Sequence, residues 1–408
     1  MVRPLRIALL KPDFGVRGGL EAVVDRVEGL LVADGHDVDR LSVDMVPPRR
    51  DVADLDIPRP VWEAAPEYFG YLRGREGFDR IDTRRHDVVV SAQPPSFSHR
   101  HPRHLSLFYH HHRVYYDLED LYLAAGFAED ATVHRHAGRI IRELDRPRLA
   151  DVGWFLAGSA TVAERLARFN ARTDTGTFHA GLVLGPSGPG GAMSSGRSAR
   201  PGRGGVLSVG RHEFPKRTEL VVAAAHLLPH VGFVLVGTGG REAWARSLDR
   251  RLAGGDTDPA SLTDAQLWCN TGRETPPAHR DDRPRRTNVV FAGRVGDDEL
   301  TRRYAEAPCV VAPAYDEDYG LTAIEAMAHG RPVVVCRDGG GLTELVDDEH
   351  TGLVVDPTPA AIAAAVERLV GDPDLAAEMG ANGLDRAGEL SWTDAAEELR
   401  DGLEQVLS

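Results

Sequence analysis

Two doubly wound α/β domains are the fold class that this sequence predicts. Three observations predict it. Short apolar runs alternate with stretches of helical periodicity, the pattern of parallel strands joined by crossover helices. The 408 residues exceed what one ordinary core holds and suit two. A segment rich in Gly, Pro and Ser, LGPSGPGGAMSSGRSARPGRGG (184–205), cannot build a core and separates two such series. The expected organisation is a first domain over 1–183, a linker over 184–204, a second domain over 205–385 and a C-terminal helical segment over 386–408.

The first unit is clear in the chain. Arg6 to Leu10 reads as a short buried strand, followed by the glycine-bearing loop Phe14-Gly15-Val16-Arg17-Gly18-Gly19. A helix then carries Leu20, Val23, Val24, Val27, Leu30 and Leu31 on one face, and Gly35 is a natural stop. Further strands in this half are expected at Val88–Val90, Leu105–Phe108 and Phe155–Ala157. Beyond the linker, strands are expected at Val206–Val209, Phe233–Val236, Val289–Phe291, Val310–Ala312, Val333–Val335 and Leu353–Val355. The polar stretch Gly255 to Arg286 reads as an excursion inserted into the second half. In sheets of this kind ligands bind beyond the carboxyl ends of the strands, near helix N-termini. Two such domains in tandem are expected to face each other across a cleft.

Composition removes several classes of function. A net charge of −14 disfavours general nucleic-acid binding. Cys269, Cys309 and Cys336 are far apart and form no CxxC pair, so neither a disulfide framework nor a cysteine metal site is expected. No apolar run is long enough to span a bilayer, and the N-terminus leads straight into a strand, so a cytoplasmic location is expected. Lys11 and Lys216 are the only lysines.

Five segments carry chemistry. The sharpest is Tyr315-Asp-Glu-Asp-Tyr-Gly-Leu-Thr-Ala-Ile-Glu-Ala-Met-Ala-His-Gly-Arg-Pro332, directly after a strand. Glu317 is expected in the loop and Glu325 in the first turn of the next helix, both aimed at one pocket. The N–H groups of Gly320, Leu321 and Thr322 would make an anion site there. A plainer reading is a capping box, Thr322-x-x-Glu325, in which Glu325 only satisfies backbone donors. The second segment, Val209-Gly-Arg-His-Glu-Phe-Pro-Lys216, places Arg211 and Lys216 beyond a strand end, where they can neutralise a diphosphate. Read alone, it is a solvated basic loop. The third, Gly18-Gly19 with Glu21, marks a strand-to-helix junction, or a simple turn. The fourth is Leu107-Phe-Tyr-His-His-His-Arg113; adjacent histidines point apart, so no metal site is expected. The fifth is the strand Asn288–Val295.

Taken together, order and spacing resemble the retaining nucleotide-sugar glycosyltransferases of the Glu-x7-Glu type, family 4-like, with the GT-B architecture. The resemblance covers nearly all of the second half and, more loosely, the first. It implies that Glu317 bonds donor-sugar hydroxyls, Glu325 bonds the ribose, and Arg211 and Lys216 hold the phosphates. It assigns donor contacts to Gly18, Gly19, Arg294, Val295, Tyr319, Gly320, Leu321 and Thr322 as well. Gly339-Gly340-Gly341 with Glu344 matches an element that shapes the pocket floor, and Leu390-Ser391-Trp392 precedes a helix that crosses back to the first domain. His110 matches the histidine that lies over the reacting sugar, with His111 as its rival. Asp318 stands where relatives usually have Gly.

The activity implied is transfer of a sugar from a nucleotide diphosphate donor to a small-molecule or glycan acceptor, with retention of configuration. The implied route is front-face displacement, with no carboxylate nucleophile, no metal and no cofactor. Rival readings are a sugar-nucleotide epimerase on the same fold and a non-catalytic sugar-nucleotide-binding subunit. A pyridoxal phosphate phosphorylase is disfavoured by the shortage of lysine. The basic stretch His134–Arg142 reads as a solvated helix face rather than a membrane anchor. The nucleobase, the sugar, the acceptor and the oligomeric state are not written in the sequence.

Overall fold

The structure, a computed structural model, describes residues 3–15, 18–46, 58–185, 188–189, 204–255, 257–263, 267 and 287–408. Most of the segment expected as a linker and most of the expected excursion lie outside the described residues, as do Val16, Arg17 and Cys269. The chain divides into two units, Met1–Ala180 with Trp392–Ser408, and Gly181–Ser391.

The first unit is a parallel sheet of six strands: β1 (Arg6–Asp13), β2 (Asp37–Asp44), β3 (Val88–Ala92), β4 (His104–Phe108), β5 (Trp154–Ala157) and β6 (Thr175–Thr177). The order is β2-β1-β3-β4-β5-β6. Its middle strands bury both faces, so β3 and β4 are buried at every position, with Ser91, His104 and Ser106 as buried polar exceptions among apolar residues. Two strands carry no apolar run. β2, DVDRLSVD, is an exposed edge strand in which polar residues alternate with Val and Leu, and β6 is three residues long. Helices cover the faces: α1 (Gly19–Ala33), α2 (Arg59–Ala64), α3 (Pro66–Asp79), α4 (Glu119–Ala124), α5 (Ala131–Asp151) and α6 (Ala160–Asn170). In α1 the buried residues are Val23, Val24, Val27 and Leu31, and Gly35 follows with φ +88°, as a helix stop requires.

The second unit repeats the plan. Leu184–Gly185 (β7) pairs antiparallel with Gly188–Pro189 (β8). Then come β9 (Val206–Val209), α7 (Thr218–Leu227), β10 (Phe233–Val236), α8 (Glu242–Ala253), β11 (Val289–Gly293), α9 (Asp297–Glu306), β12 (Val310–Ala312), α10 (Leu321–Ala328), β13 (Val333–Cys336), α11 (Gly341–Leu345) and β14 (Gly352–Val355). Helices α12 (Pro359–Gly371) and α13 (Pro373–Gly388) follow. The parallel sheet runs β11-β10-β9-β12-β13-β14. Its order reverses direction between β9 and β12, so the topological switch point lies there.

The last helix, α14 (Trp392–Leu407), belongs to the first unit. At Gly402 an added Cβ would come within 2.9 Å of Leu156 Cδ1 and 3.1 Å of Leu105 Cδ1, so the missing side chain lets the helix lie close on β4 and β5. Arg400 forms a two-pronged ion pair with Asp34, at 2.7 and 2.9 Å, and Glu398 accepts from the His179 backbone N–H at 2.7 Å.

Candidate functional site

The second unit gathers its polar groups at the switch point. β9 and β12 share one register pair, Leu207 with Val310. Beyond it the first turn of α10 enters, and the Thr322 hydroxyl donates to the carbonyl of Val209 at 3.4 Å. Gly320, with φ +114°, sits at the N-cap and supplies no capping side chain. An added Cβ there would meet Leu342 Cδ2 at 2.9 Å. The positive end of α10 is thus left open to a ligand.

The capping-box reading fails on this geometry. Thr322 is inside the helix rather than at its N-cap, and Glu325 lies past the first turn. The Glu325 carboxylate instead accepts the Tyr304 hydroxyl from α9 at 2.9 Å. Tyr304 stacks on His329 with ring centroids 5.0 Å apart, which fixes the phenol. Burial lifts the Glu325 pKa to about 7; the Tyr304 bond opposes the rise, and Asp297 adds to it. A carboxyl held at that cost with one phenolic donor is suited to receiving further hydroxyl donors.

Glu317 is placed by the glycine triplet that precedes α11. Its N–H donates to Gly339 O at 3.0 Å, and Gly341 N–H donates to Glu317 O at 2.8 Å. Gly340 has φ +57° and ψ −127°, and an added Cβ would lie 2.8 Å from Glu317 O and 2.9 Å from Glu317 N. The Lys216 ammonium meets the Glu317 carboxylate directly. Lys216 ends a 3-10 turn, Phe214–Lys216, which is docked by Tyr315 N–H donating to Pro215 O at 2.7 Å. The next residue, Arg217, has φ +51°, grips Asp338 at 2.8 and 2.7 Å, and lies over the Tyr315 ring at 4.9 Å. Arg217 and Asp338 brace the loop that presents Lys216 and Glu317, and neither was read as a site residue. Their separation of 121 positions hides the pair from any local pattern.

Arg211 is exposed and makes no ion pair among the described residues. Its loop is seated on the β10–α8 connection: His212 N–H donates to Thr238 O at 3.0 Å, and Gly240 N–H donates to the Glu213 carboxylate at 3.1 Å. Arg294 is exposed and Val295 is half-buried, after β11, which is separated from β12 by two strands. Tyr319 is buried at 5 % exposure, and Leu321 and Thr322 are half-buried at the helix start.

In the first unit, Glu21 braces the glycine junction. Its carboxylate accepts Gly18 N–H at 2.7 Å and pairs with the buried Lys11 at 3.2 Å. The three histidines after β4 diverge. His111 is fully buried, bonds Asn170 at 2.6 Å and stacks on Tyr116 at 4.2 Å; burial depresses its pKa to about 4. His112 stacks on Tyr71 at 5.0 Å. His110 and His112 are both half-buried, and His110 is the nearer to the strand end. No cluster of three metal-ligating side chains occurs among the described residues. None of the described helices is long and apolar enough to cross a membrane.

Two carboxyls give the fold a pH signature. Asp145, fully buried between the hydroxyls of Tyr71 (2.7 Å) and Tyr116 (2.9 Å), is pushed by burial to about 6. Glu325 is pushed from 4.5 to about 7. Both are raised, so each holds its proton more tightly folded than unfolded. Their stabilisation is complete below the unfolded pKa and is lost as pH rises through the folded one. Between pH 5 and pH 8 this removes about 2–3 kcal/mol for Glu325 and less for Asp145. Urea unfolding at the two pH values checks it: a Glu325→Gln variant should lose most of the Glu325 part of the slope, and an unchanged slope would contradict the assignment.

Comparisons with known proteins agree with this picture. Residues 274–386 match the model of the family described as "Glycosyl transferases group 1". D-inositol 3-phosphate glycosyltransferase of Corynebacterium kroppenstedtii is 40% identical over 120 residues, which is 29% of this chain and 26% of that protein. The Streptomyces coelicolor protein of the same name is 39% identical over 109 residues, 26% of this chain and 24% of its own length. The matched stretch is thus about a quarter of those relatives. Among solved structures, sucrose-phosphate synthase from Thermosynechococcus elongatus superposes with a TM-score of 0.68 at 21% identity over 99% of both chains. WaaG, a glycosyltransferase involved in lipopolysaccharide biosynthesis, gives 0.64 at 13% identity, over 97% of this chain and 98% of its own. The fold is therefore that of the GT-B glycosyltransferases, and the region 274–386 matches the family of glycosyl transferases group 1.

Proposed function

We propose that the chain is a glycosyltransferase that takes a sugar from a nucleoside diphosphate donor held by its second unit. It passes the sugar to a small-molecule or glycan acceptor, retains configuration, requires no metal and works in the cytoplasm. The observation that carries the proposal is the placing of Lys216 with Glu317, and of Glu325 with the open start of α10, after the two strands that flank the switch point. An anion and a set of hydroxyls can be bound there together.

The barrier in such a transfer is separation of positive charge at the anomeric carbon from negative charge on the leaving diphosphate. Lys216, Arg211 and the backbone N–H groups at Leu321 and Thr322 would stabilise the leaving charge without reorganising. Glu317 would orient the sugar hydroxyls and Glu325 the ribose. In a front-face route the bond from the anomeric carbon to the phosphate oxygen breaks, and the acceptor oxygen bonds on the same face. Its proton passes to the departing phosphate. His110 would lie over the sugar. An Anabaena protein of the same fold was solved with UDP-glucose, and this makes a uridine donor the first to try.

A thermal-shift screen tests the proposal. Nucleoside diphosphates of every base are offered in EDTA to wild type and to Lys216→Ala. A ligand that binds only the folded state raises the midpoint, by about 2.7 kcal/mol of stability at a hundredfold excess over Kd. One base should shift the wild type and shift the variant far less. No shift from any diphosphate, in a protein shown to be folded, would reject the donor site. Incubation of the matching nucleotide sugar with candidate acceptors then separates transfer from epimerisation and from binding alone.

A further inference from the structure

The basic stretch on α5 lines a recess in the first unit that the donor chemistry does not use. The recess has a volume of about 120 Å³ and is walled by Tyr116 and Phe169. Arg139, Arg142 and Arg146 face it from successive turns of α5, against one carboxylate, Glu143. Asn170, the last residue of α6, closes one side. Three guanidinium groups outweigh Glu143 and the partial negative charge of the α6 C-terminus, in a chain whose net charge is −14.

The arginines differ in what they do. Arg142 is committed to the fold, donating to Tyr115 O and pairing with Glu119 at 3.3 Å. Arg139 is exposed and pairs with no carboxylate among the described residues; its guanidinium meets the His136 ring at 2.7 Å. Arg146 is exposed and pairs with no carboxylate among the described residues. Two forks are therefore available to an anion. Two hydrogen bonds link the recess to the candidate active-site histidine. Asn170 bonds the buried His111 at 2.6 Å, and the carbonyl of His111 bonds the His110 ring at 2.6 Å.

We propose that this recess binds the anionic group of the acceptor, a phosphate or a carboxylate, with Arg139 and Arg146 as its ligands and the Tyr116–Phe169 wall against the acceptor body. The inference rests on the glycosyl-transfer reading only for the word acceptor; the anion site stands on its own geometry.

Calorimetric titration of the full chain with inorganic phosphate, and separately with acetate, tests it. Three proteins are compared: wild type, an Arg139→Gln/Arg146→Gln variant, and Lys216→Ala. Both arginines are exposed, so the double variant should keep the wild-type melting temperature. At least one anion should bind wild type at a site that Lys216→Ala retains and that the double variant loses or fills roughly tenfold or more weakly. Which anion binds distinguishes phosphate from carboxylate acceptors. Equal binding to the double variant, or binding lost only in Lys216→Ala, would overturn the proposal. So would the absence of binding by either anion, or arginine-dependent binding of phosphatidylglycerol vesicles alone, which would make the face a membrane contact. Failure of the donor reading would leave these titrations unchanged, so the two can fail separately.

Discussion

Glu325→Ala is expected to weaken nucleoside diphosphate binding about a hundredfold, because the two ribose hydrogen bonds proposed for this carboxylate would be lost at roughly 1.5 kcal/mol or more each. The alanine also orphans the Tyr304 hydroxyl, which now donates to the carboxylate at 2.9 Å. Its own cost is about 1–3 kcal/mol, and it blurs a measurement of stability. Glu325→Gln separates the two. Glutamine keeps an acceptor for Tyr304 and removes the charge that burial disfavours. Near pH 8 the ligand-free variant should melt at or above the wild-type temperature, while its nucleotide-induced shift is much smaller. Greater stability with poorer binding is the mark of a group retained for a ligand. If Glu325→Ala binds every diphosphate as tightly as wild type, Glu325 is a structural partner of Tyr304 and nothing more.

Gly340→Ala is expected to destabilise the second unit by about 3–5 kcal/mol, the sum of backbone strain and overpacking. The cause is local. At φ +57° and ψ −127° an L side chain is strained, and its Cβ would fall 2.8 Å from two backbone atoms, Asp316 C and Glu317 O. Backbone cannot rotate away as a side chain can, so the loop holding Glu317 must shift and take its pairing with Lys216 along. Scanning calorimetry should show the second unit's transition lowered by roughly ten degrees, with nucleotide binding impaired in whatever remains folded. Gly371→Ala is the control: nothing lies within 4 Å of its added Cβ. It should change stability by less than about 0.5 kcal/mol. Equal effects of the two substitutions would show that the glycine triplet does not hold the site.

The readable parts of the chain were those where burial and local pattern coincide. Strands β3, β4, β12 and β13 are buried at every position; β12 and β13 are plain apolar runs, and β3 and β4 are apolar but for Ser91, His104 and Ser106. The edge strand β2 buries almost nothing and carries five charged or hydroxylic residues, so its hydrophobic signal is faint. Glu317, Glu325, Arg211 and Lys216 could be singled out because each follows a strand at a spacing that fits a helix mouth. Thr322-x-x-Glu325 also fits a capping box, and sequence offered no means of choosing. What chose was Gly320, whose φ of +114° starts the helix two residues ahead of Thr322, and Tyr304, which claims the carboxylate from another helix. Of the three adjacent histidines, the resemblance matched His110 and left His111 as its rival. Packing separates them, sending His111 into an aromatic core and leaving His110 half-buried.

Sequence by itself determined the α/β class, the positions of the four inner strands of the first sheet and of all six in the second, and the polar groups that follow the strands of the second sheet. It could do so because strand burial and helix periodicity act within a few residues of each other. Tertiary structure alone decided which of those groups meet. The pairs Lys216 with Glu317, Arg217 with Asp338, and Glu325 with Tyr304 are set by a strand order that reverses between β9 and β12. The same holds for the arginine recess on α5, which the chain presents as a solvated basic stretch. It becomes a pocket only because α6 returns to bring Phe169 and Asn170 alongside. Such contacts join residues tens to more than a hundred positions apart, and no local pattern encodes the partner at that distance.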